Sequence, residues 1–288
     1  MVRYGMAVLM GLAAQWLSPA AAADGVEARM PPPAYLPALA GDYFPLTDPG
    51  SGRVHHIHVR YPEGYDPAAA TRYPVVYVLD GDSLFPLLAP THLFLHYDEQ
   101  LPEAIVVGIA YGSFDPAINK RHVDFTAPGG DTTAEQGGAP GFLAFLRGRL
   151  MPEVERRYAA DPTRRVLLGQ SRAGYFVLWS ALQDPDLFWG RIASNPSPGP
   201  AREQLFVEPR PHARTDLRVV VASGTRDTVE RRRIARAWTT HWGAPSSRAP
   251  WQVTLLTLQD GTHAATIGES YRRAMGWLFR ERTTSPPR

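Results

Sequence analysis

The sequence predicts an α/β domain with a mainly parallel sheet, and three observations carry that reading. Continuous apolar runs rich in Val, Ile and Leu recur along the chain, as strands buried on both faces require. Amphipathic stretches at helical spacing separate the later runs, the alternation expected of βαβ units. Several runs end in Gly, Asp, Asn or Ser, at the strand ends where open α/β sheets place their ligands. Helices on both faces of the sheet follow from this pattern.

Taken in order, residues 53–61 alternate as a half-buried strand. In it His56 and His58 would share one face and His55 the other. With no carboxylate at a useful spacing, that triplet does not read as a metal site. Residues 73–79 and 104–111 are buried strands, the first ending in the turn sequence Asp80-Gly81-Asp82-Ser83. His92 and His96, four apart, could share a helix face but lack a third ligand. Residues 112–138 form a long polar loop, a length that marks a functional or mobile segment. Phe142, Phe145, Leu146, Leu150, Val154 and Tyr158 then make one apolar stripe of a helix that Pro152 should kink or divide. Strands are expected at 165–169, 188–194, 217–224 and 252–258. Helices follow over 173–182, beyond Glu230, and around Tyr271, Met275 and Leu278. No repeat or linker divides residues 41–282.

Composition narrows the function. The 288-residue chain has a formal net charge of +2, too small to argue for nucleic acid. Lys120 is its only lysine, so its positive charge is arginine, suited to bidentate contacts with oxyanions. Zero cysteines exclude disulfides, thiolate metal sites and a cysteine nucleophile. Arg3, the apolar stretch from Met6 to Leu17 and Ala21-Ala22-Ala23 read as a signal peptide over 1–23, cleaved near Ala23. The apolar part is too short to span a bilayer comfortably and contains Gln15. A periplasmic or secreted protein without stable membrane insertion is therefore expected. Residues 24–40, with Pro31, Pro32 and Pro33, read as an extended lead-in, and 283–288 as a flexible tail.

The chemistry centres on Gly169-Gln170-Ser171-Arg172-Ala173-Gly174. An apolar run reaches small residues around a serine and passes directly into an amphipathic segment, the pattern of a strand–elbow–helix nucleophile. The usual spelling is G-x-S-x-G; here Ala173 precedes Gly174. A serine hydroxyl needs an adjacent base, and an imidazole suits because it titrates near neutral pH. In this architecture the order is serine, acid, histidine, each at a strand end. Ser171, Asp227 and His263 supply that order, with Glu230 as the alternative acid. An oxyanion hole needs two donors: the backbone N–H of Arg172 is one, and that of Asp82, after the early buried strand, is the other. Arg172, Arg226 and Arg121 are the candidate substrate-binding cations, suited to an anionic ester.

At these residues the chain resembles the putative-esterase group of α/β-hydrolases, which includes esterase D and periplasmic enterochelin-type trilactone esterases. The resemblance runs through residues 73–82 and 105–109, Arg121 with Asp124-Phe125-Thr126, Gly137-Gly138, Phe142-Leu143, Phe145-Leu146, the elbow and Gly261-Thr262-His263. It covers about residues 40 to 280. It implies an α/β-hydrolase fold and hydrolysis of a small-molecule carboxylic ester through an acyl-enzyme, with no metal or organic cofactor. A siderophore lactone or an aryl or feruloyl-type ester would be the substrate. Relatives commonly read G-H-S-x-G-G and place aromatics after a Ser-Pro-Ser loop. This chain has Gln170, Arg172 and Ala173, then Asn195 within the loop and Gly199-Pro200 after it. Acyl transfer to a sugar or other hydroxyl acceptor, and a non-catalytic binding protein on the same fold, are the competing readings.

Overall fold

The structure, a computed structural model, describes residues 36–280 apart from residue 134. The expected signal peptide, most of the lead-in and the tail lie outside the described residues. Strand β1 (Gly41–Thr47) comes first, and the sequence pattern does not announce it. Only Phe44 and Leu46 turn inward, and Gly41 and Pro45 break the strand signal at this sheet edge. β1 pairs antiparallel with β2 (Val54–Arg60), where His55, Ile57 and Val59 are buried while His56 and His58 are half-buried on the other face.

The apolar runs become β3 (Tyr73–Val78) and β4 (Ile105–Ala110), joined by α1 (Gly81–Glu99). The turn expected after β3 is the first turn of that helix. Pro86 and Pro90, which each remove a backbone donor, conceal α1 from pattern reading. Among its described residues, the segment 112–138 contains one short helix, α2 (Arg121–Asp124). The apolar stripe then folds as α3 (Ala139–Phe145), a π turn (Leu146–Leu150) and α4 (Met151–Arg157). Pro152 stands at the start of α4, where the wide turn before it absorbs the missing N–H without ending the helical path.

Next come β5 (Ala160–Gln170), longer than the expected 165–169, and α5 (Arg172–Gln183), followed by β6 (Gly190–Ser194) and β7 (Leu217–Gly224). α6 (Val229–Trp242), β8 (Trp251–Leu258) and α7 (Ile267–Phe279) complete the chain. The strands form one eight-stranded sheet in the order β1-β2-β4-β3-β5-β6-β7-β8. Pairing is parallel from β4 to β8 and antiparallel only at β1–β2 and β2–β4. Apolar residues of α3, α5 and α6 cover one face, and those of α1 and α7 the other. The carboxyl ends of β3, β5, β6, β7 and β8 therefore lie along one edge, as the site requires.

His55 is a liability in this core. Its ring is fully buried, stacked on Phe145 with centroids 4.7 Å apart, and neither nitrogen has a hydrogen-bond partner among the described residues. Burial, followed by the charge of Arg53, pushes its pKa down to about 4. Below the ordinary value of 6.5 the unfolded chain takes up a proton that the folded ring refuses until about pH 4, so this group removes stability as pH falls through that window. Asp124, raised to about 6 by burial, titrates there with the opposite sign but is common to wild type and variant. His55→Phe is expected to raise the Tm at pH 7. Its advantage should grow by about 3 kcal/mol between pH 7 and pH 4. Urea unfolding of the two proteins at both pH values measures this, and a constant difference would refute it.

Candidate active site

Ser171 follows the last residue of β5 with φ 61° and ψ −115°, an unfavourable backbone for a residue with a Cβ. The turn is tight enough that its neighbours must be small. A Cβ on Gly169 would lie 2.4 Å from the Ala173 carbonyl oxygen. The methyl of Ala173 fits beside position 169, where a Cβ would lie only 2.9 Å from it. His263 lies in the loop between β8 and α7, and Asp227 just beyond β7. These two loops meet through glycine: a Cβ on Gly224 would lie 2.3 Å from the Gly261 carbonyl oxygen.

The three side chains form one hydrogen-bonded line. His263 Nε2 is 2.9 Å from Ser171 Oγ, and His263 Nδ1 is 2.8 Å from Asp227 Oδ2. Both Asp227 oxygens are engaged, since Oδ1 accepts from the Thr228 N–H at 2.7 Å and from Arg231 Nη1 at 3.2 Å. Burial opposes ionisation of Asp227, but the bonds from His263, the Thr228 amide and Arg231 outweigh it and hold the carboxyl below its usual range. Glu230 is exposed and makes no hydrogen bond to His263.

The Arg172 N–H opens α5, and the Asp82 N–H lies in the first turn of α1. Such amides have no intrahelical acceptor and sit at the positive end of the helix dipole. The Asp82 carboxylate is occupied elsewhere, accepting from the Tyr111 and Gly112 amides at 2.8 and 2.7 Å.

The arginines are distributed differently from their sequence positions. Arg121 is held by Asp80 in a bidentate pair, Nε–Oδ1 2.8 Å and Nη2–Oδ2 2.9 Å. The Arg226 side chain is exposed and makes no ion pair among the described residues. Arg231, one helical turn beyond Asp227, takes the place beside the acid, and its Nε also lies 3.3 Å from Ser197 Oγ. Ser197 Oγ in turn is 3.4 Å from Ser171 Oγ. The i,i+4 spacing of Asp227 and Arg231 was the available signal.

The long segment before α3 is anchored rather than loose. Arg121 grips Asp80, buried Asp124 pairs with Arg53 and accepts from Tyr111 Oη, and Phe125 packs against Phe142 and Phe176. Thr126 Oγ1 accepts from Arg172 Nη1 at 3.0 Å. A cavity of about 240 Å³ opens beside this segment, lined by Leu84, Phe114, Asn119, Arg121, Gln170 and Ala264.

A family profile described as "Putative esterase" matches residues 50–269. The chain belongs to that family. Among relatives of this chain, Ferri-bacillibactin esterase BesA of Bacillus subtilis is 34% identical over 168 residues, 53% of this chain and 56% of the relative. Apo-salmochelin esterase of Escherichia coli is 30% identical over 173 residues, 55% of this chain and 54% of the relative. The chain matches about half the length of each. Among solved structures, the BES protein from Bacillus cereus superimposes with a TM-score of 0.71 at 20% identity, covering 82% of this chain and 95% of that one. Siderophore hydrolase EstB from Aspergillus nidulans gives 0.70 at 21%, covering 88% and 98%. These two place the chain in the α/β-hydrolase fold. No helix among the described residues is long and apolar enough to cross a membrane.

Proposed function

We propose that the chain is an exported serine esterase that cleaves small-molecule carboxylic esters through an acyl-enzyme on Ser171. The observation that carries this is the unbroken Ser171–His263–Asp227 line, with bonds of 2.9 and 2.8 Å. His263 Nε2 takes the Oγ proton as Oγ bonds to the ester carbonyl carbon. The Arg172 and Asp82 amides hold the resulting oxyanion. Collapse breaks the bond to the alcohol oxygen, which leaves with the proton from His263. Water then repeats the sequence, releasing the acid and restoring Ser171. Asp227 keeps the imidazole in the tautomer whose Nε2 accepts and stabilises the imidazolium that forms.

A siderophore lactone is the substrate class we favour, because two relatives are named esterases of ferri-bacillibactin and apo-salmochelin, a solved neighbour is named a siderophore hydrolase, and the site carries a cation without a counter-ion. Arg172 is half-buried, bonded only to a hydroxyl, and makes no ion pair among the described residues. Burial and the neighbouring Arg121 charge both disfavour its protonated form, an imbalance that an anionic group on the substrate would relieve. Arg231, bridging Asp227 and Ser197, is the second cation at the site; Arg121 contributes mainly through its pairing with Asp80. Simple aryl or feruloyl esters lack the anionic group.

The purified chain is expected to open the ferric complex of a catechol trilactone, whose catecholates are ionised, to its linear acid, identified by mass spectrometry, and to cleave it faster than p-nitrophenyl butyrate. Faster turnover of the neutral ester would refute the siderophore assignment, and no turnover of either would refute the esterase. For export, cell fractionation should recover a mature chain beginning near Asp24; a cytoplasmic chain retaining residues 1–23 would refute it.

A further inference from the structure

Two side-chain amides converge on the main-chain carbonyl of His263. Gln170, the residue before the nucleophile, donates Nε2 to that oxygen, and Asn195, immediately after β6, donates Nδ2 to it at 2.9 Å. The Asn195 Nδ2 also reaches the Thr262 carbonyl at 3.3 Å, and its Oδ1 accepts from the Gly224 N–H at 2.8 Å. The histidine loop is thereby tied to the nucleophile strand through Gln170. Through Asn195 it is tied to the end of β7, three residues before Asp227.

Both residues are almost completely buried, and Asn195 adopts φ 41°. Gln170 Oε1 has no hydrogen-bond partner among the described residues. A buried, unsatisfied amide oxygen costs stability, so packing alone does not explain a glutamine at this position. We propose that Gln170 and Asn195 are positioning residues that set the His263 imidazole against Ser171 by clamping its carbonyl from two strands. This assignment rests on the serine-esterase reading. Carbonyl placement matters because the ring hangs from the same residue, and a displacement of about 1 Å at a reacting group can reduce turnover by a hundredfold.

Gln170→Met keeps the length of the side chain, removes the donor and removes the unsatisfied oxygen. It is expected to lower kcat for a p-nitrophenyl ester about tenfold or more, with KM within about twofold and the Tm unchanged or higher. Gln170→His, the residue that the family resemblance places there, restores a donor and should recover most of kcat. Asn195→Asp, which replaces the donor by an acceptor facing the same carbonyl, should also lower kcat. A crystal structure of Gln170→Met supplies a readout independent of turnover: His263 Nε2 should move out of hydrogen-bond reach of Ser171 Oγ. An unmoved imidazole, a kcat within twofold of wild type, or a kcat loss that tracks a falling Tm would overturn the clamp. A wild-type protein that hydrolyses no ester would sink the esterase reading, while the imidazole position in the variant would still decide the clamp.

Discussion

Ser171→Ala is expected to lower kcat/KM for p-nitrophenyl butyrate by about 10⁴-fold or more while leaving KM for any residual turnover and the Tm close to wild type. In the proposed mechanism the Oγ atom forms the acyl bond. Its removal leaves the Arg172 and Asp82 amides and the cavity beside Arg121 in place, so residual rate reflects those alone. The alanine keeps the Cβ that the φ of 61° already accommodates, so backbone strain is unchanged. Steady-state kinetics with thermal unfolding tests this, and labelling by a fluorophosphonate should disappear in parallel. Undiminished hydrolysis would remove Ser171 from the chemistry.

Asp227→Asn should cost kcat about 10³–10⁴-fold with little change in KM. The carboxylate accepts from His263 Nδ1 at 2.8 Å, and this fixes the proton on Nδ1 and leaves Nε2 free to take the serine proton. An asparagine that turns its NH₂ toward the ring selects the opposite tautomer, in which Nε2 carries the proton and cannot act as base. The carboxyl is also the anion that offsets the imidazolium formed during attack. Because its bonds hold its pKa below the usual range, Asp227 stays charged across the neutral range, and this contribution is lost only as pH falls through that lowered value. Glu230→Gln, an exposed position that makes no bond to His263, should leave kcat within twofold. A large loss in Glu230→Gln with a small one in Asp227→Asn would reverse the assignment of the acid.

The parallel sheet and the serine–acid–histidine order are legible in the sequence because both rest on local properties. A strand buried on both faces has to be apolar throughout, and catalytic groups follow strand ends as turns of recognisable composition. The residues around the three side chains are not legible in that way. Arg226 is adjacent to Asp227 in sequence, yet helical geometry brings Arg231 to the carboxylate. Arg121 has the composition of a substrate-binding cation, but β3 ends where Asp80 can grip it. Edge strand β1 escapes notice because only two of its residues turn inward, and α1 because two prolines interrupt its pattern.

The sequence alone determined the fold class, the strand ends that hold Ser171, Asp227 and His263, and the identity of the nucleophile candidate, since each depends on periodicity and residue type within a few positions. The tertiary structure alone decided that Gln170 and Asn195 meet at the carbonyl of His263. Gln170 ends β5, Asn195 follows β6 and His263 follows β8, so sheet order and register bring the three together, and no local stretch of sequence encodes that meeting.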